Sequence, residues 1–347
     1  MSSQLTFPGE PFFLQWHITD ACNLRCKHCY CTDYTQKPVD DKTLKHVIDE
    51  YEKLLNYFGK KGRIQFAGGE PLAAPEIYNL IEQAREKDMA VRILSNGTLV
   101  DQRVAEKIRN AGCYIVQVSI EGNRRINDKI RAKNSFNMAL NGIKVLRENG
   151  IEVTVAMTLS RTNVSQIPYV FKFADKYANR IGFHRLVPIG TGTGMIDEML
   201  TPSELLAAYK KIYELRQKYP DLMVPLRDPA WRAFFERNPD ELSGCSAGYN
   251  GLCIGTGGDV YPCRRLPVKI GNVFETDLIS LWNSPIMNDL RNREARKGVC
   301  GTCGFSKSCG GCPGIAYAVT GDYMQSDPQC FKTIREKDFN RADKCSC

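Results

Sequence analysis

From residue 12 to about residue 190, short apolar runs of strand type alternate with stretches whose apolar positions recur every three or four residues. Phe12-Phe13-Leu14-Gln15-Trp16-His17-Ile18 reads as the first strand. The set Leu44, Val47, Ile48, Tyr51, Leu54, Leu55 and Phe58 then predicts a helix begun at Asp40-Asp41. Further strands are predicted over 63–67, 90–94, 114–118, 152–157 and 181–187. Between them lie helical periods: Ile77, Leu80, Ile81 and Ala84, opened by Pro75; a helix stopped at Ala111-Gly112; Phe136, Leu140, Ile143 and Leu146, begun near Ser135; and Ile167, Val170, Phe171 and Ala174. Six β-α units in regular alternation predict an α/β fold, a parallel sheet curled into a partial (β/α)6 TIM-like barrel over residues 1–195.

The pattern then changes. Thr201-Pro202-Ser203-Glu204 is a capping box opening a helix with Leu205, Leu206, Tyr209, Ile212 and Tyr213 inward. Proline turns follow at 220, 225, 229 and 239, so residues 196–240 read as a helical bridge. Residues 241–335 form a small cysteine-rich region expected to hold a short β-hairpin and helices, and 336–347 a tail carrying Cys345 and Cys347.

Polar residues break the strand pattern in consistent places. The six strands run into the cysteine stretch 22–29, Gly68-Gly69-Glu70-Pro71, Ser95-Asn96-Gly97-Thr98, Ser119-Ile120-Glu121-Gly122, Thr158 to Asn163, and Pro188 to Gly194. All six lie at the C-terminal ends of strands, the rim at which β/α barrels build active sites.

Cys22, Cys26 and Cys29 place three thiols within eight residues. A [4Fe–4S] cube usually takes four cysteines, so three leave one iron open, as a catalytic metal requires. Spacing alone also admits a zinc knuckle, or a fully ligated cluster drawing a fourth ligand from His28 or Cys31. The chain has 15 cysteines, no export signal in Met1-Ser2-Ser3-Gln4, and no apolar run near the roughly 18 residues of a membrane span. Clustered thiols without export read as metal ligands rather than disulfides, and a cytoplasmic protein is expected. The net charge of +8 fits either a solvated surface or attraction to an anionic cofactor or acidic peptide. With no basic block interleaved with aromatics, neither nucleic acid nor membrane is an expected partner.

The three-cysteine motif, Gly68-Gly69-Glu70-Pro71 and the strand order resemble the radical SAM superfamily over residues 12–190. The resemblance implies that S-adenosylmethionine (SAM) chelates the open iron and is cleaved to a 5′-deoxyadenosyl radical that abstracts a hydrogen atom from substrate. It implies that backbone around Gly68, Gly69 and Glu70 holds the methionyl amine, and that Ser95 and Asn96 contact ribose or carboxylate. Ser119 and Glu121 would meet the ribose, although relatives usually carry Asp where this chain has Glu121. Arg131 would pair with the SAM carboxylate, a bidentate task suited to arginine; read alone it is an ordinary exposed arginine. Tyr30 would pack beside the adenine, or simply in the core, while His17 and His28 read as structural.

Residues 245–331 resemble the SPASM extension of these enzymes: Cys245-Ser-Ala-Gly, Gly258-Asp-Val-Tyr-Pro-Cys263, Cys300-x2-Cys303-x5-Cys309-Gly-Gly-Cys312 and Asp327-Pro-Gln-Cys330. Only two residues separate the last clustered pair, where the family usually has three. The resemblance implies two auxiliary [4Fe–4S] clusters, three in all. Cys300, Cys303, Cys309 and Cys330 would hold the outer one, and Cys245, Cys263 and Cys312 the inner one. Cys253 is either the inner cluster's fourth ligand or a buried strand cysteine. Cys31 and Cys113 read as neighbouring or buried thiols.

About a dozen residues precede the first strand, so no fused leader-binding domain is expected, and any such protein would be separate. The expected substrate is a ribosomally made peptide that receives a crosslink or related modification. The alternative is a small molecule or tetrapyrrole, as in oxidative decarboxylation of haem propionates. Arg264-Arg265 stands where sulfatase-type relatives carry a proton-accepting Asp, and it would suit a substrate carboxylate or else a surface salt bridge. A flavodoxin- or ferredoxin-type donor would supply the electron. A non-catalytic iron–sulfur or zinc scaffold is the reading from a different class.

Overall fold

The computed structural model describes residues 6–7, 9–35, 41–225, 228–231 and 242–333. The tail with Cys345 and Cys347 therefore lies outside the described residues. Six parallel strands follow one another: β1 (Phe12–Thr19), β2 (Gly62–Gly68), β3 (Ala90–Ser95), β4 (Ile115–Ser119), β5 (Glu152–Leu159) and β6 (Arg180–Arg185). The helices between them are α1 (Asp41–Phe58), α2 (Ile77–Glu86), α3 (Gln102–Asn110), α4 (Arg124–Ile130), α5 (Ser135–Glu148) and α6 (Ile167–Tyr177). Strand residues such as Leu14, Trp16, Ile64, Phe66, Ile93, Val116 and Val155 are buried against this helical layer. Burying one such side chain contributes about 1.5–3 kcal/mol, so this layer carries most of the barrel's stability. Tyr51 of α1 clips the first two strands together: its hydroxyl donates to Phe12 O at 2.7 Å and accepts from Arg63 N at 3.1 Å.

Three features depart from the sequence reading. Helix α2 begins at Ile77, because Pro71–Ala73 forms a separate 3-10 turn capped by the Glu70 side chain. The short α4 is an additional helix, started by Asn123, whose side chain accepts from Ile126 N at 3.1 Å. The sheet also does not stop at β1. Strand β7 (Gly251–Ile254) lies parallel to β1, and β8 (Asp259–Tyr261) and β9 (Gly271–Asn272) follow antiparallel, giving the order β6-β5-β4-β3-β2-β1-β7-β8-β9. The cysteine-rich region is thereby fused to the barrel through backbone hydrogen bonds.

Helix α7 (Pro202–Lys218) starts at the expected capping box, with Thr201 N donating to Glu204 Oε2 at 2.7 Å. The one-turn α8 (Pro229–Trp231) and helices α9 (Leu278–Trp282), α10 (Pro285–Arg291) and α11 (Pro313–Thr320) complete the chain. Among the described residues no helix is long and apolar enough to cross a membrane.

The barrel interior is mixed, with Phe13, Leu94, Ile115 and Phe183 beside many polar side chains. Gln15, Arg63, Gln65, Arg92, Gln117, Thr154, Arg180 and His184 face an internal cavity, where closed β/α barrels pack layers of branched apolar side chains. The strands therefore enclose a lumen rather than a second core.

Candidate active site

The loop after β1 carries the three cysteines, and the glycines after β2 let it approach. Gly68 has φ of +127°, and a Cβ there would overlap the Thr19 carbonyl; a Cβ on Gly69 would overlap that of Ala21. The amides of Gly69 and Glu70 donate to Thr19 O and Ala21 O, each at 2.8 Å, zipping the two loops together.

Glu70 is fully buried behind this contact, and burial raises its carboxyl above the usual range. It accepts from Ser95 Oγ at 2.8 Å, Asn96 N at 2.7 Å and Leu72 N at 3.1 Å, and so fixes the loop after β3. From there Asn96 Nδ2 donates to Asn23 Oδ1 at 2.9 Å and lies 3.9 Å from Cys22 Sγ.

On the other side, Arg131 donates through Nε and Nη2 to Glu121 Oε1 at 3.1 and 2.6 Å, and its Nη1 lies 3.8 Å from Cys26 Sγ. Its side chain is only 9% exposed, which excludes the ordinary surface arginine. Helix α4 sets this geometry, because Arg131 is its C-cap and Asn127 Oδ1 holds Glu121 N at 2.9 Å. Glu121 Oε2 accepts from Thr158 N at 2.9 Å, so the pair braces β4 against β5. His28 Nε2 lies 3.4 Å from Glu121 Oε1, and burial pulls its pKa down to about 4. Tyr30 stacks on His17 with ring centroids 5.3 Å apart and donates to Gly68 O at 3.1 Å.

These elements enclose a cavity of about 170 Å³. Cys22, Cys26, Cys29, Tyr30, Gly68, Gly69, Ser95, Asn96, Ser119 and Arg131 line it. Glu70 and Glu121 stand behind the wall and act through Ser95–Asn96 and Arg131. The thiols suit an iron–sulfur cluster, since N–H donors point at the sulfurs: Leu24 N to Cys22 and Cys31 N to Cys29, both at 3.4 Å, in addition to Arg131 on Cys26.

In the C-terminal region Cys300, Cys303, Cys309 and Cys330 line one cavity of about 310 Å³. Among the described residues no three His, Cys, Asp or Glu side chains converge to hold a single ion. Thiols that bracket a cavity suit a multi-atom cluster better than the tight tetrahedron of zinc. The short Cys309-Gly-Gly-Cys312 link is explained by two successive left-handed residues, Gly310 at φ +68° and Gly311 at φ +60°. They reverse the chain, so that Cys309 stays with the outer set while Cys312 turns away. Cys312 N donates to Asp327 Oδ2 at 3.1 Å, and Cys245 is near enough to both Cys263 and Cys312 for their charges to interact. Cys253 is buried in β7 beside Cys263, with its Sγ 3.8 Å from His17 Nε2.

Arg264 and Arg265 face inward, so the surface salt bridge does not form; among the described residues neither lies within ion-pair distance of a carboxylate, although Asp228 is near enough to help raise the Arg265 pKa. Both line the cavity beside the three cysteines, and Arg264 Nη1 donates to Gln15 Oε1 at 2.8 Å. Sequence reasoning missed Arg185 and Asp327. Arg185 is buried with Asp228 at 2.7 Å and Asp327 at 2.9 Å, tying β6 to the bridge and the cysteine region. Asp327 was present in the quoted Asp-Pro-Gln-Cys motif, but nothing local marked it as a clamp.

A sequence profile of the radical SAM superfamily matches residues 16–174, and one of the SPASM iron-sulfur cluster-binding domain matches residues 245–304. The AdoMet-dependent heme synthase of Methanosarcina barkeri is 31% identical, over 94% of this chain and 98% of its own length. The chain belongs to the radical SAM superfamily. The mycofactocin maturase MftC of Mycobacterium ulcerans is 29% identical over 92% of this chain and 88% of its own. The structure of Streptococcus suis SuiB bound to S-adenosylmethionine superposes with a TM-score of 0.77 at 19% identity, covering 95% of this chain and 78% of that one. This radical SAM protein is thus an enzyme with a partial barrel, a C-terminal SPASM region, and iron–sulfur and SAM chemistry.

Proposed function

We propose that this radical SAM enzyme holds three [4Fe–4S] clusters and oxidises a substrate presented by its carboxylate, as in oxidative decarboxylation of a tetrapyrrole propionate. Cys22, Cys26 and Cys29 hold the SAM-binding cluster. Cys300, Cys303, Cys309 and Cys330 hold the outer auxiliary cluster, and Cys245, Cys253, Cys263 and Cys312 the inner one. The observation that carries the substrate reading is the Arg264–Arg265 pair, which lines both the cavity beside Cys22, Cys26 and Cys29 and the one beside Cys253 and Cys263. Guanidiniums bind carboxylates in a planar, bidentate manner. The similarity to a heme synthase over nearly its whole length supports the same substrate class.

When bound, the cluster and SAM would supply a 5′-deoxyadenosyl radical able to take a hydrogen atom from an unactivated carbon, and the auxiliary clusters would accept the electron released as carbon dioxide leaves. The chain's own residues orient the partners. Glu70 fixes the Ser95–Asn96 loop, Glu121 aims Arg131 at the thiol side of the cavity, and Arg264 and Arg265 anchor the substrate carboxylate. A flavodoxin- or ferredoxin-type protein in the cytoplasm supplies electrons. The peptide-maturase reading stands second, carried by the similarity to MftC, with a leader-binding protein supplied separately.

The test is an anaerobic turnover of reconstituted enzyme with dithionite, SAM and iron coproporphyrin III, read by mass spectrometry. Loss of carbon dioxide from the porphyrin, matched by 5′-deoxyadenosine, is the expected result. Intact porphyrin alongside modification of a short peptide encoded beside the gene would overturn it in favour of the maturase.

A further inference from the structure

The chain has four histidines, His17, His28, His46 and His184. Three of them are engaged. His17 Nε2 meets Gln15 Nε2 at 3.2 Å and Tyr30 Oη at 3.4 Å, His28 Nε2 lies 3.4 Å from Glu121 Oε1, and His46 Nε2 lies 3.1 Å from Val273 O. His184 is different. Its imidazole has no hydrogen-bond partner among the described residues, yet it lines both the SAM cavity and the adjoining lumen cavity of about 200 Å³.

Its nitrogen also has room in front of it. Arg180, Gly182 and His184, at alternate positions of β6, all line the lumen cavity. A Cβ built on Gly182 would meet only His184 Nε2, at 4.0 Å. The ring thus presents Nε2 across the gap that Gly182 leaves, with no neighbour packed into it.

Charge decides what can fill that gap. Arg264 and Arg265 line both cavities with His184, and burial followed by their charge lowers its pKa to about 3. A ring kept neutral retains the lone pair that binds metals. A bare divalent ion is a poor fit, because the two guanidiniums repel it. Moreover, no three His, Cys, Asp or Glu side chains converge to hold one among the described residues. A ferrous porphyrin fits. The macrocycle supplies four ring nitrogens and its negative charges cancel those of the iron, so a single histidine suffices. Its propionates bring anions to the same two arginines.

We propose that His184 Nε2 is the axial ligand of the iron in an iron-porphyrin substrate, which is held by its metal as well as by its carboxylates. The ligand rests on the tetrapyrrole reading given above. It selects the iron-loaded macrocycle over the metal-free one and fixes the ring's centre beside β6, while Arg264 and Arg265 hold its edge.

The test is resonance Raman spectroscopy of ferrous iron coproporphyrin III bound anaerobically to the cluster-reconstituted enzyme. Equilibrium binding of the iron-loaded and metal-free porphyrins is measured alongside. Wild type should show an iron–imidazole stretch that shifts when the protein carries histidine enriched in heavy nitrogen. His184→Gly should lose that band. It should also bind the iron porphyrin at least about tenfold more weakly while holding the metal-free porphyrin as wild type does. Absence of the band from wild type with porphyrin bound overturns the ligand without needing any variant. A band that survives in His184→Gly overturns it too, since another group then holds the iron. So does equal weakening of both porphyrins, which would make His184 a contact of the macrocycle or its carboxylates. In each of these cases the proposed function stands. If wild type binds neither porphyrin, that function falls and the ligand with it.

Discussion

Asp327→Asn tests whether barrel and SPASM region form one rigid frame. The carboxylate accepts from Arg185 Nη1 at 3.0 Å, Cys312 N at 3.1 Å and Gln329 N at 3.0 Å. The side chains of Arg185, Asp327 and Asp228 are 1, 2 and 6% exposed, so solvent cannot screen the change. An amide keeps the shape but turns one acceptor into a donor that faces other donors. Breaking a buried ion pair costs about 3–5 kcal/mol. Asp228 still neutralises Arg185, which places the expected loss at or below the lower end of that range, about 2–3 kcal/mol. At roughly 2 °C per kcal/mol, the holoenzyme should melt about 4–6 °C lower. Asp228→Asn together with Asp327→Asn should cost more than the sum of the two, because only then is the guanidinium left uncompensated. The assay is a thermal melt of the reconstituted protein with iron content measured alongside. A melting point within about 1 °C of wild type, at equal iron, would refute the clamp.

Other expectations follow from the same geometry. Gly69→Ala should abolish iron binding by Cys22, Cys26 and Cys29 while sparing the SPASM clusters, seen as a partial loss of iron and visible absorbance; full iron content would count against the close loop approach. Cys253→Ala should change the inner cluster's electron paramagnetic resonance signal, and an unaltered spectrum would leave that cysteine as strand packing. His184 is held neutral, its pKa lowered to about 3 from 6.5 by burial and then by Arg264 and Arg265. The unfolded chain takes up that proton first, so this residue's share of stability is present above pH 6.5 and is lost as pH falls. The loss should reach about 1 kcal/mol at pH 5.5. His184→Gln should flatten that part of a denaturation-versus-pH curve, and an unchanged slope would contradict the buried neutral imidazole.

The strand–helix alternation and the rim loops were legible because each strand has an apolar face toward the helices and each loop carries chemistry-bearing residues. The polar lumen was equally present in the letters: Gln15, Gln65, Arg92, Gln117 and Thr154 sit at alternate positions of apolar strands. A parallel sheet buried on both faces reads as continuously apolar, so this alternation marks a lumen lined by polar side chains. The short α4 escaped because seven residues with four charges show no usable period. The pairing of Glu121 with Arg131 depends on that helix and could not be seen from residue types alone. The joining of β7 to β1 unites residues more than two hundred positions apart, and no local pattern encodes it.

The proposed chemistry requires that one iron of the cluster at Cys22, Cys26 and Cys29 lack a protein ligand and so be available to SAM. Its most direct test is 5′-deoxyadenosine production by the anaerobically reconstituted, dithionite-reduced enzyme. Wild type should form the nucleoside and Cys26→Ala should form none. Absence of the product from a fully iron-loaded wild type would contradict the account.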